Sequence, residues 1–271
     1  MSGNALMKLA ITGEMDDAMA LMLMEQQEDD NAYIPVPAKI KIAPGGINQF
    51  IFGDETVKSF TAVVLISQII RGYWPQGGGS NIPPLCSSPD GKRGIFADNP
   101  DAAQLAAAEA QHTLHPALSF VQKGEPAPSF DCKQFCPLSQ WGSGKGRGKA
   151  CKEMRRLLVL PEGWTAPALM SLPPTSLRIW DTYCSTLATK GSAYFGVRTT
   201  FALEGAKSEG GDPYSYIKLT LGESFAKDKD MVGAVSEVRR QYRELVSSLN
   251  VEADEYNTID GNGSTDDDTP F

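Results

Sequence analysis

Cysteine residues are concentrated in one part of this chain of 271 residues. Four of the five cysteines lie between positions 86 and 151, namely Cys86, Cys132, Cys136 and Cys151. Four thiolates complete the tetrahedral shell of a structural zinc ion and leave no ligand position for water. The pattern therefore predicts bound Zn²⁺ at these four residues. The alternative is a set of four reduced, buried thiols without a metal.

The remaining candidates for metal or acid-base chemistry are few. His112 and His115 are alternative zinc ligands, but a helix predicted from Asn99-Pro100 to Gln111 favours a surface location for them. Cys184 falls within a helix predicted at 176–190 and is expected in the core. The chain has two histidines, no Ser-His-Asp arrangement and no carboxylate cluster, so we do not predict an enzyme.

A glycine-rich basic loop, which contains Trp141, Lys145, Arg147 and Lys149, lies between the last two cysteines of this group. Residues 132–156 contain seven basic side chains and one acidic side chain. Alternating glycines let the backbone approach phosphates, and a tryptophan offers a face on which a base can stack. The segment is not a P-loop, because Ala150 replaces the required hydroxyl residue. The alternative is a flexible, solvated loop.

A predicted hairpin formed by residues 194–203 and 213–222 presents tyrosines and cations on its outer face. An alternating strand at 34–42 adds two lysines. Each base stacked on an aromatic ring contributes about 1 to 3 kcal/mol, although tyrosines are also common on solvated strands. The residues predicted to contact DNA are Lys39, Lys41, Trp141, Lys145, Arg147, Lys149, Lys152, Arg155, Tyr194, Arg198, Tyr214, Tyr216 and Lys218.

The acidic segment 252–271 resembles the tail of bacterial single-stranded DNA-binding proteins, whose tip is Asp-Asp-Asp-Ile-Pro-Phe. Thr269 stands where that family has Ile. The residues that the resemblance assigns to partner binding are Asp266, Asp267, Asp268, Pro270 and Phe271. The Phe271 ring and a terminal carboxylate suit a pocket with a basic rim, and the aspartates would steer the encounter. The alternative is an acidic tail that only aids solubility.

Charge is segregated along the chain although the net charge is -8. Residues 1–30 carry -6 and residues 252–271 carry -7, which leaves +5 for residues 31–251. A basic body between acidic ends is compatible with a polyanionic partner. The longest apolar run is too short to span a membrane. Cysteines without an export signal favour the cytoplasm, here that of a bacterial host or its nucleoid.

These features predict a mainly β, α+β fold that contains an OB-like barrel with insertions. Strands are expected at 61–73 and 155–160, and an amphipathic helix at 231–249. The predicted organisation is an acidic, partly helical segment at 1–30, a DNA-binding body with a zinc-bound insertion at 31–225, a docked helix at 226–251, and a disordered acidic tail at 252–271.

The expected function is coating of single-stranded DNA and recruitment of replication, recombination or repair proteins through the tip. A zinc-bearing body with an acidic tail is similar to the phage-encoded class of these proteins, which implies a phage or mobile-element origin. The main alternative is a zinc-stabilised adaptor that docks on replication machinery without binding DNA. A DNA-processing nuclease that uses the same basic surface is a third hypothesis.

Overall fold

The computed structural model describes residues 36–75, 82–132, 135–144, 148–207, 211 and 213–255. Within these ranges the chain forms one mixed, open sheet of eleven strands with a few helices. The strands are β1 (Ala38–Ile42), β2 (Phe50–Phe52), β3 (Glu55–Val57), β4 (Ser59–Tyr73), β5 (Cys86–Ser88), β6 (Arg93–Phe96), β7 (Phe130–Asp131), β8 (Cys151–Pro161), β9 (Ala168–Leu172), β10 (Val197–Lys207) and β11 (Pro213–Ser224). The α-helices are α1 (Ala102–Glu109), α2 (Leu118–Val121), α3 (Pro174–Thr189) and α4 (Lys229–Ser248).

The centre of the sheet has Greek-key connectivity. Strands β4, β8 and β9 pair antiparallel in succession, and β10 returns after α3 to pair with β4. The resulting order β10-β4-β8-β9 is that of a Greek key, and β11 extends it as the second arm of a hairpin. On the other side, β1 pairs parallel with β9 and is followed by β2 and β3. The mainly β, α+β prediction is confirmed at this level.

Helices cover both faces of the sheet, and each face has its own core. On the α3 face, Trp180 is 1% exposed and packs among side chains such as Val64, Leu157 and Phe201. On the α4 face, a stripe from the helix packs against the opposite side chains of β4, β8 and β9. That stripe consists of Val235, Val238, Tyr242 and Val246. Its three- and four-residue spacing is the pattern that predicts the helix from sequence.

The long connection between β4 and β8, residues 74–150, forms a unit with a third core. Its strands β5 to β7 extend the sheet beside the end of β4, and α1 and α2 pack beside them. Asp101 caps α1 by accepting hydrogen bonds from the N–H groups of Ala103 and Gln104. The buried side chains include Leu85, Phe96 and three of the grouped cysteines. This insertion is therefore folded onto the sheet.

The β1–β2 loop contacts the β10–β11 hairpin, although the two are not paired in the sheet. The N–H of Asn48, in the β1–β2 loop, donates to Ser215 Oγ at 3.2 Å, and Ser215 Oγ donates to Asn48 Oδ1 at 2.8 Å. Gly46 has a positive φ of 70° and lies against Pro213, where a Cβ would be 3.0 Å from the proline Cβ. These contacts hold the β10–β11 hairpin against the β1–β2 loop.

Several sequence predictions match elements of the structure. The strand predicted at 61–73 is confirmed as β4, and the helices predicted at 176–190 and 231–249 are confirmed as α3 and α4. In the part of the chain that the structure describes, no helix combines the length and apolarity needed to cross a membrane.

Candidate nucleic-acid interface and cysteine cluster

Strand pairing places two of the four grouped cysteines on either side of Tyr73. Tyr73 pairs with Cys86 on β5 and with Cys151 on β8. Directly paired residues point to the same face of a sheet, so both thiols lie beside the tyrosine ring on one face. Both are buried and unoxidised.

The third cysteine approaches the first over a glycine. A Cβ built on Gly94 of β6 would lie 3.1 Å from Cys132 Sγ and 3.3 Å from Cys86 Sγ. The two sulfurs therefore converge on the space that any other side chain at this position would fill. The Ser88 hydroxyl also contacts the Cys132 thiol, and its hydrogen bond opposes the rise in the Cys132 pKa that burial causes.

The fourth cysteine stands at the start of a short 3₁₀ helix, Pro137–Ser139. Burial raises the pKa of the Cys136 thiol, while hydrogen bonds from the N–H groups of Leu138 and Ser139 to the sulfur oppose that rise. N–H groups aimed at a sulfur favour its thiolate form. Cys86, Cys132, Cys136 and Cys151 are referred to below as the cysteine cluster.

Electrostatic coupling joins all four members of the cysteine cluster. Burial raises the pKa of Cys86 well above its usual value, and ionisation of the other three thiols raises it further. The pKa of Cys151 is raised by burial and then by Cys136 and Cys132. Without a cation the thiols are therefore protonated at neutral pH. Within the described ranges, no three or more His, Cys, Asp or Glu side chains form a preset metal-binding group.

One buried cation lies next to the cysteine cluster. Arg71 is 7% exposed, and its Nη2 lies 2.6 Å from Glu153 Oε2. Its charge lowers the pKa values of Cys132, Cys136 and Cys151, although burial outweighs it in each case. The Arg71 guanidinium thus provides positive charge where anionic sulfurs would otherwise be isolated from water.

The surface location expected for His115 is wrong. His115 lies beyond the end of α1, is 3% exposed, and packs against Tyr73 and Phe96. Its Nδ1 accepts the N–H of Ala117 at 3.0 Å, and burial lowers its pKa to about 4. The ring is therefore a neutral part of the insertion core. His112 is exposed, as expected.

The basic loop is organised around a buried serine. The carbonyl groups of Leu138 and Gln140 share the single hydroxyl hydrogen of Ser143, and Ser143 Oγ accepts the N–H of Ala150. Gly144 passes so close to the returning chain that a Cβ there would lie 2.9 Å from Ala150 N. These contacts connect residues 138–144 with residues 149 and 150, within the segment between Cys136 and Cys151. Lys145 and Arg147 lie outside the described residues.

Two aromatic rings project from this part of the insertion. Trp141 is 57% exposed, and Lys149 Nζ lies 4.8 Å from its ring centroid. Phe135 is 69% exposed, more than any other large apolar side chain among the described residues. Sequence analysis missed Phe135, although an aromatic residue directly before Cys136 was a usable signal. Trp141, Lys149 and Phe135 are referred to below as the loop platform.

The β10–β11 hairpin presents a second pair of rings. Tyr214 and Tyr216 lie on one face of β11, with ring centroids 6.5 Å apart, and both are half-buried. Tyr216 Oη donates to Glu204 Oε2 at 2.9 Å. The predicted outward position of Tyr194 is wrong, because β10 begins only at Val197. Tyr194 instead begins the 3₁₀ turn Tyr194–Gly196 and packs 5.7 Å from Trp180, so its face is covered by core residues.

Carboxylates lie beside many of the predicted phosphate-binding cations, although residues 31–251 carry a net charge of +5. Lys39 contacts Glu252 at 2.5 Å and Asp254 at 2.8 Å, and Lys41 contacts Asp254 at 3.0 Å. The other ion pairs are Arg155 with Asp181, Arg198 with Glu162 and Glu223, and Lys218 with Glu204. These pairs join residues that are distant in sequence, so charge counting along the chain does not predict them.

The remaining predicted sites divide between the sheet and the undescribed segment. Lys152 lies on β8, directly after Cys151, and is half-buried. The predicted partner-binding residues lie outside the described residues, and they are Asp266, Asp267, Asp268, Pro270 and Phe271. Comparison of the chain with protein-family models, with curated proteins and with solved structures gave no match.

Proposed function

We propose that the protein binds single-stranded DNA, with the loop platform as its primary contact. The observation that carries the proposal is the exposed Trp141 ring with the Lys149 ammonium group over one of its faces, next to a loop segment held by hydrogen bonds of Ser143. A stacking face with adjacent cations suits single-stranded nucleic acid, because every base has a π-face and every nucleotide carries a phosphate. Lys145 and Arg147 add positive charge to the same loop in sequence.

The sheet topology supports the same proposal. The OB fold is a five-stranded, partly open Greek-key barrel that binds oligonucleotides through the face of its second and third strands and through two loops. Strands β4, β8, β9, β10 and β11 have Greek-key order, with α3 between the third and fourth. In such an arrangement the two binding loops correspond to the β4–β8 connection, which contains the loop platform, and to the β10–β11 hairpin, which contains Tyr214 and Tyr216. We therefore propose an OB-like body.

Both faces of β8 and β9 are covered by helices, so the DNA contacts that we propose lie on the two loops and not on the sheet face. The α4 face of β8 and β9 is covered by α4, and Glu252 and Asp254 pair with Lys39 and Lys41 beside it. We propose that these carboxylates compete with DNA phosphates for the two lysines. Downstream, residues 266–271 are proposed to bind replication, recombination or repair proteins, because they resemble the tips of single-stranded DNA-binding proteins.

Intrinsic fluorescence tests DNA binding directly, because Trp141 is the most exposed tryptophan among those described. Trp74 and Trp180 are 7% and 1% exposed and cannot stack on a base. Titration with oligo(dT) is expected to quench the emission, and the affinity should fall steeply with salt. Trp141→Ala should remove most of the quenching and weaken binding of a labelled oligonucleotide by about 5- to 150-fold, the loss of one stack.

Leu114→Ala is the matched control, since Leu114 is 52% exposed and belongs neither to the loop platform nor to the β10–β11 hairpin. Its oligonucleotide affinity should equal that of the wild type. Absence of oligo(dT) binding even at low salt would reject the proposal in favour of an adaptor without DNA affinity. Magnesium-dependent cleavage of the same oligonucleotide would instead indicate a nuclease.

A further inference from the structure

The long insertion between β4 and β8 folds around polar sulfur atoms in addition to apolar side chains. Its core contains Cys86, Cys136 and Cys151, and Cys132 is also buried. The four thiols come from three separated parts of the chain: β5, the turn after β7, and the first residue of β8. Four buried cysteines from distant positions thus lie near enough to interact electrostatically, and none forms a disulfide.

We propose that Cys86, Cys132, Cys136 and Cys151 bind one zinc ion in a closed, structural site. The cysteine cluster supplies four sulfurs, the number that fills a tetrahedral shell. This proposal does not rest on DNA binding, because it concerns the folding of the insertion. Binding of Zn²⁺ by four thiols releases up to four protons and leaves a site of net charge -2, so the surroundings must favour anionic sulfur.

Three observations show contacts that offset part of the cost of burying anionic sulfur, and Zn²⁺ itself would supply the rest of the positive charge. The N–H groups of Leu138 and Ser139 point at Cys136 Sγ, and the Ser88 hydroxyl contacts Cys132. Arg71 brings a buried guanidinium close to three of the sulfurs. Hydrogen bonds to ligand atoms and nearby positive charge are the second-shell features that stabilise anionic metal ligands.

Gly94 provides independent geometric support. A side chain at this position would occupy the space between Cys86 Sγ and Cys132 Sγ, with a Cβ only 3.3 and 3.1 Å from them. The φ of Gly94 is not in the positive region, so the backbone alone does not require glycine there. The absence of a side chain is explained by the need to keep this space open.

The four sulfurs lie near one another but are not yet arranged as metal ligands. Among the described residues, no three His, Cys, Asp or Glu side chains are close enough to hold an ion as they stand. Each sulfur must come to about 2.3 Å from the ion. Side-chain rotation of buried cysteines achieves this more easily than backbone movement, because the strand pairings of β4 with β5 and β8 already fix two of the Cα positions. Zinc would then fix both ends of the loop that contains Trp141 and Lys149.

Metal analysis of the full chain tests the proposal. Protein purified without added metal, then dialysed against a weak chelator, is expected to retain about one zinc ion per chain. Cys136→Ser and Cys151→Ser should each abolish stoichiometric zinc. Cys184→Ser is the matched control, because Cys184 lies on α3 outside the cluster, and its zinc content should be unchanged.

Two further measurements keep the test decisive if the cysteine variants fold poorly. Gly94→Ala retains all four ligands and should weaken zinc retention at least tenfold against a competing chelator, whereas Gly233→Ala, which meets open space on α4, should not. Cobalt substitution of the wild-type chain should give the thiolate charge-transfer bands and visible absorption of a tetrahedral site.

A chain isolated without zinc, a chain that holds iron instead, or a disulfide within the cluster detected after alkylation would each overturn the proposal. Zinc retained in full by both Cys136→Ser and Cys151→Ser would also overturn it. None of these readouts involves DNA, so failure of zinc binding and failure of oligo(dT) binding are separate results.

Discussion

The guanidinium of Arg156 on β8 binds the carboxylate of Glu255, with Arg156 Nη2 and Glu255 Oε2 2.6 Å apart and both residues almost completely buried. The same guanidinium donates to the carbonyl groups of Val246, Leu249 and Asn250 at the end of α4. Glu255 also accepts from Ser171 Oγ on β9. This network attaches the segment after α4 to the sheet.

Removal of one member of the Arg156–Glu255 ion pair should lower the free energy of unfolding. Glu255→Gln leaves a buried guanidinium without its counter-charge, so we expect a loss of about 3 to 5 kcal/mol in the free energy of unfolding, measured by urea denaturation. Glu244→Gln, at an exposed position of α4, should change it by less than about 0.5 kcal/mol. The double variant Arg156→Met, Glu255→Met should not recover the loss, because the carbonyl groups of Val246, Leu249 and Asn250 and the Ser171 hydroxyl then lose their partners. An equal loss in the Glu244 control would show that the effect is not specific to the buried pair.

Attachment of residues 252–254 to β1 should depend on pH. Burial would raise the pKa of Asp254, but hydrogen bonds and charge from Lys39 and Lys41 outweigh burial and lower it. A carboxylate with a lowered folded pKa contributes stability above its unfolded pKa of 3.8 and loses that stability as the pH falls through the folded pKa. For Lys39, burial would lower the pKa but the two carboxylates raise it, so its contribution is lost only as the pH rises through that raised value.

Amide hydrogen exchange measures this dependence. The amides of residues 249–255 should be protected near neutral pH and lose protection below about pH 4, before the centre of the sheet does. Asp254→Asn should remove the acid-dependent step. Protection that is unchanged by this substitution would show that Arg156 alone holds the segment.

Neutralising Glu252 and Asp254, the two acids that pair with lysines of β1, should strengthen DNA binding if they compete with phosphate. Glu252→Gln with Asp254→Asn frees Lys39 and Lys41, and each added phosphate contact should steepen the salt dependence for single strands by about 0.7 in logarithmic slope. Asp54→Asn with Glu55→Gln makes the same charge change at exposed positions near β3. Equal gains in both double variants would mean that net charge, rather than release of these lysines, is responsible.

The elements that were predictable from sequence are those with long, regular patterns. Strand β4 has a nearly continuous apolar run, and α4 repeats apolar residues every three or four positions. Each element can therefore be predicted from its own residues alone. The short strands β2, β3 and β5 to β7 contain two to four residues each, too few for any periodicity. Their positions depend on pairing with distant strands.

The candidate site was predictable in residue type but not in arrangement. The four cysteines and the exposed Trp141 stood out by composition. The pairing of Lys39 with Glu252 joins residues 213 positions apart, and no sequence pattern reports such a contact. Tyr194 was misplaced because alternation was extended three residues before β10 begins, across a 3₁₀ turn that packs into the core.

The contact that holds the β10–β11 hairpin against the β1–β2 loop gives a last prediction. Ser215 is 5% exposed, and its hydroxyl both accepts from Asn48 N and donates to Asn48 Oδ1. Ser215→Ala leaves those two groups without partners, so the free energy of unfolding should fall by about 1 to 3 kcal/mol. Ser248→Ala, on the exposed end of α4, should change it by less than about 0.5 kcal/mol.

Because Tyr214 adjoins Ser215, the same substitution should also increase hydrogen exchange in the hairpin more than in β8 or β9. That local increase separates loosening of the hairpin from general destabilisation. If exchange rose uniformly across the sheet, the Asn48–Ser215 contact would support global stability only, and the position of Tyr214 and Tyr216 would have to be fixed by the pairing of β10 with β4.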